Sequence, residues 1–555
     1  MKSACILGVL ALAAFPAAAQ PYINYRGVVN AASFEGQGLP AGSIAQGSVF
    51  TIFGSNLGPA QYAQSSSYPL PNKLAGVSLS ITQTATTLAA IPLIVLASQV
   101  SAIMPSNAPL GKVIVRVNYN GQTSNPAIVN VVPASPGVFS VLSSGFGPGV
   151  VQNYASAASQ PINTTQATAQ PGQTVILWGT GLGPVPYGDN VAPAAGNLPT
   201  QVSVFIGNQP ASVSYSGRSP CCAGLDEIIV TVPADSPSGC YVPVQVMANS
   251  SVVSNAVTIG IDKNGAPCAD SFNPGGGAVR AGGNHGFVQA ERDNFVADIG
   301  LSAPGEAIAD SLFVDLRQDA GGPSYFSPEY SLPPVGTCTM YSGQAFDSGA
   351  GTLLFAPQSK ALDGGAALQV SAGGAMASVK RFADAPQLYG ALLGEQPAPS
   401  GTSGLFFGFP GPFTLSIPGG ADVHSAQVNG ATPAPLQWTE QTSLSTLVRA
   451  NGLTVHWTGG NPATDVAVIE VLDNNDAANS STLALCLAPL TAGKFSLPAE
   501  ILQSLPATPA SAQRIPALVV VASEPLLSPA TFSAGGLQGG FLTPVYAAIA
   551  SVVVE

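Results

Sequence analysis

Charge is scarce in this chain. Charged side chains make up 8% of the 555 residues, against about 25% in an average soluble domain. Lys and Arg number 16 and Asp and Glu 28, a formal net charge of −12. Phosphate binding needs clustered positive charge, so this balance argues against a nucleic-acid partner. No polybasic segment is present to hold an anionic membrane. Beyond the N-terminus no charge-free apolar run reaches the ~20 residues that span a bilayer, so no membrane insertion is expected. Histidine is limited to His285, His424 and His456. There is no G-x-S-x-G elbow, H-E-x-x-H helix or Walker loop. The chain is therefore expected to be no enzyme and to need no cofactor.

Glycine (62) and proline (49) are abundant and spread throughout, and 46% of residues are hydrophobic. That pattern reads as many turns between short strands, with ample material for cores. At roughly 100–150 residues per domain, three to five domains fit the length. The N-terminus reads as a secretory signal peptide over 1–19, with Lys2, an apolar stretch Ile6–Phe15 and the small residues Ala17–Ala19. The mature protein is expected to be secreted or held at the cell surface.

The first half repeats itself. Gln46–Pro59 matches Pro171–Pro184 at an offset of 125, and Val77–Ile81 faces Val202–Ile206 at the same offset. Val100–Pro105 then matches Ile228–Pro233, and Ser124-Asn125 matches Ser254-Asn255, at offsets of 128 and 130. Alternating strands bounded by Gly, Pro and Asn, several per ~110–125 residues, predict β-sandwiches over 22–135 and 136–262. The expected fold class is all-β, in tandem immunoglobulin-like sandwiches.

Six cysteines follow the signal peptide: Cys221, Cys222, Cys240, Cys268, Cys338 and Cys486. An even count in an exported chain favours disulfides over zinc. Repeat one has none, so the cluster staples the variant loop of repeat two. One of Cys221 and Cys222 is expected to bond Cys240, and the other Cys268.

The run Gly47–Gly58 resembles the opening strand and turn of IPT/TIG-type immunoglobulin-like domains. Residues 26–262 as a whole are similar to a family of secreted acidobacterial proteins. The likeness rests on Val28–Phe34, the Gly179–Gly183 turn, and Ser216-Gly217-Arg218 leading into Pro220–Gly224. It implies export and immunoglobulin-like repeats, and it transfers no functional residue.

After a linker over 263–275, two further β-rich domains are expected at 276–415 and 416–555. Asn451-Gly452 signals a hairpin between Leu447–Ala450 and Leu453–Trp457. Val466–Leu472 and Thr482–Leu487 form another, with Asp473–Asp476 at its tip. A short helix is expected after Ser496 as N-cap. Asp473 and Asp476 offer oxygens for Ca²⁺, but a plain hairpin tip is the simpler reading. His456 reads as an exposed strand residue. His285, near Glu291 and Asp293, and His424 read as loop residues. Two aromatic loops are candidates for ligand contact, Tyr325-Phe326 with Tyr330, and Phe406-Phe407 with Phe409. The expected role is recognition of an extracellular glycan or protein through sandwich-end loops; the alternative is a hydrolase with its site in 276–555.

Overall fold

The computed structural model describes residues 20–297, 305–344, 359–396, 404–475, 480–508 and 517–555. The expected signal peptide lies outside them. The described chain is all-β, in tandem immunoglobulin-like sandwiches. In the first, the strands pair in the order Tyr22–Asn30, Val49–Ser55, Gln99–Ile103, Thr86–Val95, Val77–Gln83, Gly111–Tyr119, Ala127–Val132. The second, from Gly137–Val138 to Val257–Ile261, repeats that order strand for strand. Alternation supplies the cores: Val77, Leu79 and Ile81 face Val113, Val115 and Val117, and Val204 and Ile206 meet Val242, Val244 and Val246.

The repeated Ser-Asn pair now has a physical reason. Asn125 accepts the Ile23 N–H (2.7 Å) and donates to the Ile23 carbonyl (3.0 Å), clasping the first strand to the last. Asn255 does the same to Val138, at 2.9 Å each way. Ser124 and Ser254 each receive a backbone N–H from the neighbouring strand and donate to the carbonyl of the following Asn. The matched glycines Gly54 and Gly179 lie where a Cβ would strike a carbonyl of the paired strand.

The remaining described chain builds one large sheet and a separate three-stranded one, and the boundary expected at 415 falls inside the large sheet. That position falls inside strand Gly411–Ile417, which pairs with Ala367–Ala372 on one side and Ala426–Thr432 on the other. Strand Gly283–Ala297 runs beside Val545–Val554, and Cys338–Gln344 pairs with Ser480–Pro489, so segments from both expected domains are interleaved. A strand inside a sheet needs partners on both edges, and here they come from far along the chain. A long hairpin, Gly283–Ala297 with Gly305–Asp319, sits in the middle of this sheet.

The linker is structured. Asp270 accepts the Cys240 N–H (2.8 Å) and pairs with Arg280 (2.7 Å). Asn273 caps a helix, Pro274–Ala281, that the glycine run had hidden. The Asn-Gly hairpin does not form: Thr446–Leu447 runs parallel to the C-terminal strand, and Leu453–Gly459 pairs with Leu436–Trp438 and Lys494–Leu497. Ser496 is in the latter strand, bonded to Thr454, and the short helix is Ala499–Leu502. Val466–Asn475 and Ser480–Pro489 do form a hairpin.

The cysteine pairing also differs from expectation. Cys221 bonds Cys222, Cys240 bonds Cys268, and Cys338 bonds Cys486. The Cys221-Cys222 loop packs against the first sandwich, through Tyr68 and through Gly224 beside Val49 and Ile103. It is thereby held apart from Cys240. Cys338 and Cys486 lie opposite each other on adjacent strands, 4.0 Å between Cα atoms and fully buried. Replacing both by Ala should cost roughly 2–4 kcal/mol. The check is the denaturation midpoint reported by Trp438 and Trp457 in the core beneath them; an unchanged midpoint contradicts it.

Candidate functional site

Directly paired residues in a ladder point to the same face of the sheet. In the long hairpin Val288, Ala290, Leu312, Val314 and Leu316 therefore face an apolar core. The opposite face carries Phe287, Gln289, Glu291 and Asp293 beside Phe313, Asp315, Arg317 and Asp319. Such a polar face needs either water or a partner. Part of it lies open to a pocket of about 260 Å³.

The pocket floor is Phe287, Gln289, Phe313 and Asp315, with Phe541 from the neighbouring strand. Glu329, Tyr330 and Leu332 close one side, and Glu524, Leu526 and Pro529 another. The Phe287 ring centre is 4.2 Å from that of Tyr330 and 5.4 Å from that of Phe541, the latter pair stacked. The start of helix Pro274–Ala281 closes the end. Gly276 fits there because a Cβ would strike the Tyr330 carbonyl.

One cation organises the carboxylates behind the rings. Arg317, 1% exposed, reaches Asp315 at 3.0 Å, Asp319 at 2.9 Å and Glu329 at 3.4 Å. Its guanidinium also lies 4.7 Å from the Tyr330 ring centre. Tyr330 donates to Asp315 Oδ2 (2.9 Å) and Tyr325 to Asp319 Oδ1 (2.7 Å). Burial opposes ionisation of Asp319, but His285, 3.7 Å away, and Arg317 outweigh it and hold this carboxyl below the usual range. Asp315 Oδ1 is buried and has no hydrogen-bond partner.

Along the same face a second group of carboxyls has no such cation among the described residues. Glu291 and Asp293 are hydrogen-bonded to each other. Burial, and then the charge of Glu291, push Asp293 up to about 8. Burial and Asp293 push Glu470 up to about 7. Burial, Glu470 and Asp465 push Glu524 up to about 8.

Of the residues expected to touch a ligand, Tyr330 lines this pocket and Tyr325 braces it from behind. Phe326 is buried between Phe146, Tyr241 and Tyr341, where the second sandwich meets the large sheet. Phe406, Phe407 and Phe409 lie away from this pocket, in a loop that closes over a buried acid. Asp310 accepts the N–H groups of Phe406 (2.7 Å) and Phe407 (2.8 Å) while Arg292 grips Asp310 and stacks over Phe409. A buried carboxylate on the core face has to be satisfied, and the loop supplies the donors.

His456 is an exposed strand residue bonded to Glu440 (2.6 Å), and His424 packs under Gly535. Asp473 is buried within its strand opposite Thr482, and Asp476 lies outside the described residues. Among the described residues no three His, Cys, Asp or Glu side chains are grouped to hold a metal. Sequence reasoning missed Asp315, Arg317, Asp319 and Phe541. The signal for the first three was present: Asp-Leu-Arg-Gln-Asp at spacing two puts all three on one strand face.

The segments that carry the family likeness serve the junction of the first two sandwiches. Asn30 donates to the Ser135 carbonyl. Arg218, buried, bonds Asp226 (2.6 Å) and the Gly183 carbonyl (2.8 Å), and Leu182 donates to Asp226 (2.7 Å).

No protein-family model matches the chain, and no curated protein matches it. Among solved structures, similarity extends to the full extracellular region of plexin A4 (14% identity, 45% of this chain, 19% of that one, TM-score 0.16). The chain thus spans about a fifth of that protein. It extends also to SGBP-B from a complex xyloglucan utilization locus in Bacteroides uniformis (11%, 67% and 86%, TM-score 0.16), and to Sidekick-1 immunoglobulin domains 1–4 (8%, 92% and 95%, TM-score 0.12).

The raised carboxyls fix a pH dependence. An acid whose folded pKa exceeds its unfolded value of about 4 leaves the folded state with more bound protons between the two, so stability falls as pH rises through that window. For Asp293, Glu470 and Glu524 the loss runs up to about pH 7–8. The thermal midpoint should be higher at pH 5 than at pH 8.5. The triple change Asp293→Asn, Glu470→Gln, Glu524→Gln should reduce the difference, leaving what the other carboxyls raised by burial contribute, among them Glu35 at about 7 and Asp226 at about 6. Equal wild-type midpoints would show these carboxyls to be solvated.

Proposed function

We propose that this is an exported, non-enzymatic binding protein of the cell surface or extracellular space, that it recognises a glycan through the pocket on the large sheet, and that the two N-terminal sandwiches hold the pocket in place. The observation that carries the reading is the combination of Phe287, Tyr330 and Phe541 rings with Gln289, Asp315 and Glu524 around about 260 Å³. Aromatic faces cover the C–H face of a sugar ring, and amide and carboxylate oxygens take its hydroxyls. A volume just under the usual range of roughly 300–1,000 Å³ suits one small ring. Three disulfides support an oxidising compartment, where such bonds persist. The likeness of residues 26–262 to secreted acidobacterial proteins with IPT/TIG-type repeats supports export as well.

The alternative, a hydrolase, draws on the Glu291–Asp293 carboxyl pair. Catalytic carboxyls of glycosidases flank the scissile bond at about 5–9.5 Å, whereas these two touch, which favours binding.

A panel of soluble glycans and cell-wall polymers tests the proposal. At least one should bind, and Phe541→Ala and Phe287→Ala should each weaken it by about tenfold or more, roughly 1.4 kcal/mol, with the circular dichroism of wild type. Binding to none, or full binding by both variants, would count against the pocket. Release of new reducing ends during the assay would favour the hydrolase.

A further inference from the structure

The titratable side chains that line the pocket are acids and tyrosine, with no base among them. Asp315, Glu329 and Glu524 contribute carboxyl groups, and among the described residues no Lys, Arg or His joins them on the wall. Arg317 stands behind the wall, and its single charge is divided among Asp315, Asp319 and Glu329. Three carboxyl groups thus share one guanidinium.

Two observations say that this charge has an occupant in view. Asp315 is a pocket-wall residue 5% exposed, yet its Oδ1 atom has no hydrogen-bond partner. A buried carboxylate oxygen left without a donor is costly, and a ligand N–H or O–H would repair it. The aromatic rings give the second. Tyr330 and Phe287 already sit 4.2 Å apart with Arg317 at 4.7 Å from the Tyr330 ring, so one guanidinium uses that ring from behind. Phe287 and Phe541 line the same pocket, and aromatic rings attract cations.

We infer that the sugar this site prefers carries a protonated amino group: an amine-bearing hexose unit, its ring against Phe287 and Phe541 and its ammonium toward Asp315 and Glu329. This rests on the glycan reading above and narrows it. An ammonium satisfies the Asp315 oxygen and offsets the excess of carboxylates, whereas a neutral or N-acetylated sugar does only the first, and an acidic sugar is repelled.

The test is calorimetric titration of the full chain at pH 6.5 with three oligosaccharides of equal length: glucosamine, N-acetylglucosamine and glucose tetramers. The glucosamine tetramer should bind at least tenfold tighter than the other two, and 0.5 M NaCl should shrink that margin several-fold. Glu329→Gln, at the exposed rim, should reduce glucosamine binding several-fold and leave the neutral tetramers unchanged. Asp315→Asn should do the same more strongly; should it unfold, Glu329→Gln alone decides. Equal or tighter binding of a neutral tetramer overturns the inference while leaving the glycan reading intact. Binding of none of the three, when other glycans bind, also overturns it. Failure of every glycan overturns both. A lysine-containing peptide that displaces the tetramer at equal concentration would overturn it too, by showing a general amine site.

Discussion

A paired strand has two faces, and the long hairpin at 283–319 uses them for opposite purposes. On one face Val288, Ala290, Leu312, Val314 and Leu316 bury apolar side chains against the core. The positions between them carry rings, amides and charges to the other side. The pleat forces this division, since a residue cannot turn to the wrong face without slipping the register of the whole ladder. The pocket, the Arg317 network and the carboxyl row all follow from that alternation.

The rest of the molecule closes over the polar face. The second sandwich contributes Tyr241, whose hydroxyl donates to the Tyr325 carbonyl at 3.0 Å. The Cys240–Cys268 bridge and the Asp270–Arg280 pair fix the chain as it crosses from that sandwich to the helix beside the pocket. Covering lowers the local dielectric, which strengthens the pairing around Arg317 and penalises the carboxyls that lack a cation. One environment thus lowers Asp319 and raises Asp293.

The architecture of the first half could be read from the chain because its signals are local. The Gly-punctuated strands, the Ser-Asn pairs and the matched glycines each recur at nearly fixed spacing and describe contacts inside one repeat. In the second half the partners are remote. Gly283–Ala297 meets Val545–Val554 across nearly half of the whole chain, and no local pattern announces that. Asn451-Gly452 shows the same limit: Gly452 does turn the chain, with φ of 72°, but the strand before it is claimed by Val553 and Val554. The site was legible only in part. Tyr330 stood out as an aromatic loop residue, and Asp315, Arg317 and Asp319 shared a strand face, but Phe541 and Glu524 arrive from elsewhere. Phe406 to Phe409 resembled a recognition loop, since nothing in their sequence reveals Asp310 beneath them.

The Asn125 and Asn255 clasps have a mechanical meaning for a protein built in tandem. Each seals the entry strand of its sandwich to the segment leading into the exit strand through two hydrogen bonds that lie side by side. Tension along the chain would load both bonds of a clasp together, as in shear, instead of peeling them one after the other. The repeats would then transmit a pull to whatever the far end holds before either sandwich opened.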